Sequence, residues 1–380
     1  MAEMSVREEN LFSPFPLADQ QNFEPELAEA FRRVLGSGRY ILDAEVTSFE
    51  QEFGAFLGAQ HVIGVANGTD AIELMLRALN IGTNAQVVIP ALAPSAVAAG
   101  VVRSGAQPVC ADIQPDTFTL CPDSVDAILS RDESKRIKAI LAVHLYGHPA
   151  DWAKLSVVAR KHEVVLLEDC AQAHGAVWCG KMAGGLGLAA AFSFYPTKNL
   201  GALGDAGALV TNDPEVARQA HLIRQYGWRV RFVSELNGIN SRLDELQAAF
   251  LRVKLRGLQG ALVKRRTLAA IYTEGLREER ALQLPVVRPG CVHAYHQYVV
   301  RTQRCQEFAT QLQEMGIPVQ AHSPVPLHRQ PAYYQEMTLP ESERAAREVL
   351  PLPIHPYLGE NAVRKTCEAI IGALHAKGRS

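Results

Sequence analysis

The chain has 380 residues, of which 48% are hydrophobic and 21% are charged. This is ordinary usage for globular proteins, and it excludes a disordered, collagen-like or coiled-coil chain. The formal net charge of −2 provides no general basic field, so we expect no nucleic-acid partner.

The seven cysteines indicate a reducing compartment. They are spread along the chain without C-x-x-C spacing, which favours neither a zinc knuckle nor a disulfide framework. The first residues contain no apolar segment of the secretory type, and the most apolar run, residues 87–102, is interrupted by prolines and is too short to span a bilayer. We therefore predict a cytoplasmic protein without a membrane span.

From about Val62 onward, short runs rich in β-branched residues alternate with segments of helical periodicity. This alternation predicts a doubly wound α/β sheet with helices on both faces, in which ligands bind at the carboxyl ends of the strands. The predicted strands are 61–67, 86–91, 107–113, 137–147 and 164–171, and the predicted helices are 68–79, 96–105, 122–131 and 152–162.

The pattern changes near Asp244 and indicates a second domain. We predict a large domain over residues 1–255 and a small α+β domain over residues 256–380. The elements predicted here are a long helical stretch at 245–278 with a candidate break around Gly257 to Gly260, a strand at 296–302, and helices at 305–316, 341–353 and 360–374.

The first motif that carries chemistry is Asn67-Gly68-Thr69-Asp70, between a predicted strand and a predicted helix. A glycine lets the backbone approach a ligand closely, and the N–H groups at the start of a helix bind phosphate. The alternative is an ordinary turn with an N-cap. Alone, this motif does not decide between the two.

An acid and an amine follow two later strands. Glu168-Asp169 ends the apolar run VVLL, so a carboxylate is expected at the ligand-binding edge of the sheet, with a surface acid or an N-cap as the alternative. Lys198 follows the apolar run AFSFY and a Pro-Thr turn, and it precedes a glycine-rich loop. A lone loop lysine is usually solvated, but small neighbours give close access to this one.

The three motifs together fit pyridoxal 5′-phosphate. The helix start would bind the phosphate, the carboxylate would pair with the protonated ring nitrogen, and the amine would form a Schiff base with the aldehyde. Desolvation is expected to lower the pKa of Lys198, so that part of its amine is neutral. No helix carries a histidine pair with metal-ligand spacing, so no metal is predicted.

Several long motifs resemble the DegT-type aminotransferases, which aminate nucleotide-linked ketosugars. The resemblance implies the aspartate aminotransferase-like fold type I, with a large doubly wound mixed-sheet domain, a small C-terminal domain, and a homodimer with shared active sites. The motifs that carry it lie at residues 39–72, 144–151, 166–176, 193–213, 238–255, 324–333 and 350–358.

The resemblance also implies residue roles. Lys198 is implied as the Schiff-base lysine and proton shuttle, Asp169 as the partner of the ring nitrogen, and Gln172 as a contact of the ring hydroxyl. The implied phosphate ligands are Gly68, Thr69, Ser193 and the partner subunit's Asn240. The implied lining of the sugar-nucleotide pocket, with packing or interface roles as the alternative, is Tyr195, Arg242, His322 and His328.

Two positions depart from the family pattern. Many members carry an aromatic residue, which stacks on the cofactor ring, at the position of Pro94, so the stacking residue stays unassigned here. Ser323 stands where a tyrosine is common, next to the implied pocket residue His322. The lysine position itself is intact as Lys198, unlike in the dehydratase branch, where histidine replaces it.

The implied reaction has two halves. L-glutamate first gives its amino group to the cofactor, and the ketosugar then receives it, with Lys198 moving the proton in each half. Residues 227–249 resemble members that act at C-3 of dTDP-linked 3-keto-6-deoxyhexoses, which predicts a role in deoxyaminosugar or polysaccharide biosynthesis. The alternatives are a C-4 ketosugar or cyclitol aminotransferase on the same scaffold, and a non-enzymatic auxiliary or regulatory protein.

Overall fold

The computed structural model describes residues 23–319 and 325–375. The helices of this part of the chain are α1 Glu24–Ser37, α2 Ala44–Leu57, α3 Gly68–Ala78, α4 Ser95–Arg103, α5 Pro122–Leu129, α6 Trp152–His162, α7 Pro214–Ile223, α8 Glu245–Leu276, α9 Cys305–Glu314, α10 Pro340–Glu348 and α11 Glu360–His375. The strands are β1 His61–Val65, β2 Gln86–Pro90, β3 Gln107–Ala111, β4 Ile137–Val143, β5 Val165–Asp169, β6 Val177–Trp178, β7 Lys181–Met182, β8 Ala189–Ser193, β9 Gly207–Thr211, β10 Trp228–Val230, β11 Val233–Ser234, β12 Cys291–Val292, β13 Tyr298–Arg301 and β14 Val349–Leu352.

A seven-stranded mixed sheet forms the centre of the large domain. Its order is β1-β9-β8-β5-β4-β2-β3. The strands from β8 to β3 pair in parallel, and β9 runs antiparallel to both of its neighbours. Therefore β1, β5 and β8 all end at the same edge of the sheet, where the predicted motifs follow them.

Helices cover both faces of this sheet. In β4, Ala139 and Leu141 join a core that includes side chains of α3, α4 and α7, whereas Ile140 and Ala142 join a core with α5 and α6. Alternate residues of a strand point to opposite faces, so each face has its own hydrophobic core. The predicted doubly wound fold is confirmed.

Helix α8 connects the two parts of the chain. It runs uninterrupted for 32 residues, so the candidate break at Gly257 to Gly260 is wrong. Leu258 and Leu262 pack in the large-domain core and Leu268 packs in the small-domain core, which outweighs a cost of about 1 kcal/mol per helical glycine. The predicted boundary at 255/256 falls inside this helix, and the two cores divide between Leu262 and Leu268.

The predicted helix at 341–353 is wrong in its second half. Helix α10 ends at Glu348, and the next four residues form β14, which pairs antiparallel with β13. Pro351 explains the change, because proline has no N–H for a helical bond and disfavours helical geometry in the residue before it.

Within the described ranges, no helix is long and apolar enough to cross a membrane.

Candidate active site

The start of α3 forms a compact cradle against the end of β8. The Asn67 side chain accepts a hydrogen bond from the Asp70 N–H at 2.9 Å and caps the helix. A Cβ atom on Gly68 would lie 2.7 Å from the Cβ of Ser193, so only glycine lets the helix approach this closely. The first N–H groups of a helix have no intrahelical acceptor, and with half-buried Thr69 beside them they suit an anion.

Lys198 lies in a closed loop between β8 and β9. The Phe194 N–H bonds to the Ala206 carbonyl at 2.8 Å, and the Ala202 N–H bonds to the Phe194 carbonyl at 2.7 Å. Inside this loop the Lys198 N–H donates to the Tyr195 carbonyl at 2.8 Å. These backbone bonds fix the position from which the lysine side chain extends.

Three side chains hold this loop from outside. The Asn199 amide donates to the Ala294 carbonyl at 3.1 Å, and the Lys254 ammonium donates to the Gly201 carbonyl at 3.0 Å. Gln247 on α8 accepts from the Leu203 N–H at 2.9 Å. These anchors cannot be predicted from the sequence, because their partners are backbone groups, which leave no pattern there.

Lys198 and Asp169 lie close enough for the charge of each to shift the pKa of the other. Burial lowers the pKa of Lys198 to about 8, and the Asp169 carboxylate partly opposes this shift. Burial raises the pKa of Asp169, while the Ala171 N–H, 2.8 Å from its Oδ1, and the Lys198 charge favour the ionised form. The site therefore places a buried acid close to an amine that is partly neutral near pH 8.

His174 lies behind Lys198 and is uncharged. Its ring is buried among aromatic side chains, with centroids 5.3 Å from Phe192 and 5.6 Å from Phe194. Burial, with a further contribution from the Lys198 charge, lowers the pKa of His174 to about 3. The imidazole thus places no second positive charge beside the lysine at neutral pH.

Gln172 is buried next to the end of β4. Its side-chain oxygen accepts a hydrogen bond from the Tyr146 N–H at 2.7 Å. Tyr146 has a φ of 59°, a left-handed conformation that is uncommon for a bulky residue. This bond fixes the Gln172 side chain near Asp169, three residues earlier in the chain.

Glu168 has a structural role, unlike its neighbour Asp169. Its carboxylate accepts from the N–H groups of Gly184, Leu186 and Gly187 at 2.7–2.8 Å, and it contacts His144 Nε2 at 3.0 Å. His144 Nδ1 accepts from the Ala150 N–H, so the proton is on Nε2. His144, Glu168 and Cys170 lie close enough to suggest a metal site, but the two His144 nitrogens are already engaged.

The remaining predicted residues lie at the periphery. Tyr195 is 45% exposed, Asn240 is exposed, and the Arg242 guanidinium lies 5.8 Å from the Tyr226 ring centroid. His328 is fully buried, and its Nε2 contacts Glu343 at 3.0 Å. His322 lies outside the described residues. The structure therefore brings together one central group, whereas Tyr195 and Asn240 are exposed and Arg242 is half-buried. The central group comprises Gly68, Thr69, Asp169, Gln172, Ser193 and Lys198.

These residues fit pyridoxal phosphate. The cradle at Gly68 would be filled by any Cβ, the Asp169 carboxylate is buried, and the nearby Lys198 amine has a lowered pKa. An anion-binding helix start, an acid and a nucleophilic amine are the three groups that this cofactor requires. Fold and site together define a pyridoxal phosphate-dependent enzyme of fold type I.

Comparison with known proteins identifies the family. A model of the DegT/DnrJ/EryC1/StrS aminotransferase family matches residues 21–371, and the chain belongs to this family. The dTDP-3-amino-3,4,6-trideoxy-alpha-D-glucose transaminase of Streptomyces venezuelae is 42% identical, over 97% of both chains. The dTDP-3-amino-3,6-dideoxy-alpha-D-galactopyranose transaminase of Aneurinibacillus thermoaerophilus is 41% identical, over 92% of this chain and 95% of the relative.

A solved structure agrees with these relatives. The crystal structure of DesV from S. venezuelae superposes with a TM-score of 0.90 at 41% identity, covering 94% of this chain and 96% of that one. The chain is thus a nucleotide-sugar aminotransferase with pyridoxal phosphate as its cofactor, as the sequence predicted.

Proposed function

We propose that this enzyme transfers the amino group of L-glutamate to C-3 of a dTDP-linked 3-keto-6-deoxyhexose, as a cytoplasmic homodimer with shared active sites. The observation that carries the chemistry is the position of Lys198 close enough to the buried Asp169 for its charge to act on the lysine pKa, together with the Gly68 cradle. The choice of C-3 and dTDP is supported by two relatives whose names both specify 3-amino sugars on dTDP.

Each central residue has a distinct task toward the cofactor. Gly68, Thr69 and Ser193 would hold the phosphate at the start of α3, where the helix dipole favours negative charge. The Asp169 carboxylate would hold a proton on the ring nitrogen, and Gln172 would contact the ring hydroxyl. When bound, the cofactor supplies an electron sink for the carbon that carries the amino group.

Lys198 moves protons in this proposal. A pKa of about 8 lies close to neutral pH, so the amine can take a proton from carbon and return one without a large energetic penalty in either direction. The closed loop that carries Lys198 and its anchors Asn199 and Lys254 keep the amine in place during both half-reactions.

The nucleotide sugar would bind beside Tyr195 and Arg242. Tyr195 is exposed and Arg242 is half-buried, and a guanidinium suits the oxygens of a diphosphate. His322 is retained as a pocket residue from the family resemblance. The burial of His328 against Glu343 supports packing, the alternative role named for this residue.

A second copy of the chain would complete the site. The hairpin of β10 and β11 carries Phe232, which is 73% exposed, together with exposed Val230 and Val233. An exposed apolar cluster of this kind is typical of a protein interface. In the homodimer, the partner's Asn240 would reach the cofactor phosphate.

The reverse half-reaction tests the substrate directly. Enzyme loaded with pyridoxal phosphate is mixed with a dTDP-3-amino-3,6-dideoxyhexose or with its 4-amino isomer, and the visible absorbance of the lysine-linked cofactor is followed. We expect loss of this absorbance with the 3-amino sugar only, and no lysine-linked band in Lys198→Ala. Loss with the 4-amino sugar only would overturn the assignment to C-3, and a response to neither sugar would overturn the dTDP-hexose substrate.

Arg242 provides a test of the pocket. Arg242→Ala is expected to raise KM for the nucleotide sugar about tenfold and to leave KM for glutamate unchanged, because one charged hydrogen bond to phosphate is lost. Arg218→Ala is the matched control, since Arg218 lies on the surface of α7 and pairs with Glu215. An unchanged KM for the sugar in Arg242→Ala would remove this residue from the pocket.

A further inference from the structure

Ser241 ties the segment that carries Asn240 to helix α3. Its hydroxyl donates to Asp70 Oδ2 at 2.6 Å and accepts from the Ala66 N–H at 3.1 Å. Its own N–H donates to the Arg224 carbonyl at 2.9 Å. Ser241 is 1% exposed, so water does not compete for these three hydrogen bonds.

Asp70 belongs to a charge cluster along one side of α3. Arg103 lies 2.8 Å from Asp70 Oδ1 and 2.8 Å from Glu73 Oε2, and Arg77 lies 2.9 Å from Glu73 Oε1. Arg77 also donates to the Asn237 carbonyl at 2.5 Å. The two acids and the two arginines compensate each other's charge. The ion pair with Arg103 therefore holds the Asp70 carboxylate in place near the proposed phosphate site.

Segment 237–241 is therefore attached to α3 at both ends. Asn237 is held by Arg77 and Ser241 by Asp70, whereas Asn240 between them is exposed. Asp70 and Arg77 are seven residues apart, which places them on the same side of a helix. The same helix thus begins at the phosphate cradle and holds the segment that presents Asn240 outward.

We propose that Ser241, through Asp70, is a positioning residue that presents Asn240 to the partner subunit's cofactor phosphate. This inference rests on the shared site of the proposed function. Helix α3 would then serve both sites of the dimer. Its N-terminus would bind the cofactor phosphate of its own subunit, and its side would orient Asn240 toward the cofactor of the partner subunit. Ser241 is buried against Asp70 and the Ala66 N–H and would act only through Asn240.

The affinity for pyridoxal phosphate is the first readout. Ser241→Ala is expected to weaken binding about tenfold in a fluorescence titration, because a hydrogen bond to a buried charged group is lost. Ser342→Ala is the matched control, since Ser342 Oγ donates to Asp112 at 2.7 Å and is fully buried away from the site. Its cofactor affinity should not change. If Ser241→Ala does not fold, Ser241→Cys keeps the shape with a weaker donor.

Mixed dimers separate positioning from local destabilisation. In a dimer of Ser241→Ala with Lys198→Ala, one site contains an intact Lys198 and receives Asn240 from the subunit with an intact Ser241. We expect the lysine-linked absorbance of this site to form with wild-type affinity. Affinity that stays tenfold weaker would show that Ser241 acts within its own subunit and would overturn the inference.

A second mixed dimer keeps the two proposals distinguishable. Asn240→Ala paired with Lys198→Ala tests the shared site alone, and recovery of affinity is expected there as well. If the Asn240 pair does not recover, the shared site of the proposed function is wrong. If it recovers and the Ser241 pair does not, only the positioning role of Ser241 is wrong.

Discussion

The lowered pKa of Lys198 predicts how the cofactor-free enzyme captures pyridoxal phosphate. Only a neutral amine attacks an aldehyde, so the capture rate should rise with pH in proportion to the neutral fraction of Lys198. Burial shifts the pKa of this amine from 10.5 to about 8. The rate should therefore reach half of its plateau near pH 8.

The size of the effect follows from this shift. At pH 7.5, a pKa of about 8 leaves about a quarter of the Lys198 amines neutral, whereas an ordinary lysine would leave about one in a thousand. Burial thus accelerates capture by about two orders of magnitude at this pH. The Asp169 carboxylate limits the gain, because its charge raises the pKa of Lys198.

Stopped-flow absorbance of the lysine-linked cofactor, from pH 6 to 11, measures the midpoint. Asp169→Asn should move the midpoint below that of the wild type, because the charge that stabilises the ammonium is removed. Lys198→Ala should show no lysine-linked band. A wild-type midpoint near pH 10.5 would show that burial does not lower the pKa of Lys198, and a midpoint that rises in Asp169→Asn would show that the Asp169 charge does not raise it.

Lys198→Met should stabilise the cofactor-free protein by about 3 kcal/mol below pH 8, because the buried ammonium destabilises the folded state. This gain should vanish as the pH rises from 8 to 10.5, since in this range the unfolded chain still binds the lysine proton and the folded chain does not. Urea unfolding at several pH values measures the gain. Glu168→Ala should cost about 3 kcal/mol or more, since three buried N–H groups lose their acceptor, and an unchanged melting temperature would contradict this. Gly68→Ala should weaken cofactor binding at least about tenfold, because its Cβ would lie 2.7 Å from Ser193, whereas Gly36→Ala meets nothing within 4 Å and should bind normally.

The sequence predicted the elements whose signal is local. The alternation of β-branched runs and helical periodicity placed β4 and α6 within a few residues, and Asp169 and Lys198 were identified because each follows an apolar strand. Strand direction then determines that these side chains share one edge of the sheet. Local patterns are sufficient wherever the fold follows from the order of the elements.

Features that depend on distant contacts could not be read in this way. Gly257 and Gly260 indicate a break in α8, but packing with both domain cores keeps the helix continuous. The bond between Ser241 and Asp70 joins residues 171 positions apart, and no periodicity reports it. Such contacts form only when distant elements pack together, and no pattern of neighbouring residues reports them.

The division of labour between Glu168 and Asp169 shows the same limit. Adjacent residues of a strand point to opposite faces, so only one of the two acids can serve the site. The sequence identified the pair, and the structure shows that Glu168 is engaged with the loop at residues 184–187 and with His144.

The position of the new amino group is the most direct test of the proposed reaction. The enzyme is incubated with pyridoxal phosphate, ¹⁵N-labelled L-glutamate and a dTDP-3-keto-6-deoxyhexose, and the isolated product is analysed by NMR. We expect ¹⁵N bonded to C-3 of the hexose and equimolar formation of 2-oxoglutarate. A 3-keto sugar that stays unlabelled while the 4-keto isomer, offered separately, gains ¹⁵N would contradict the proposed reaction, and so would a failure to label either sugar.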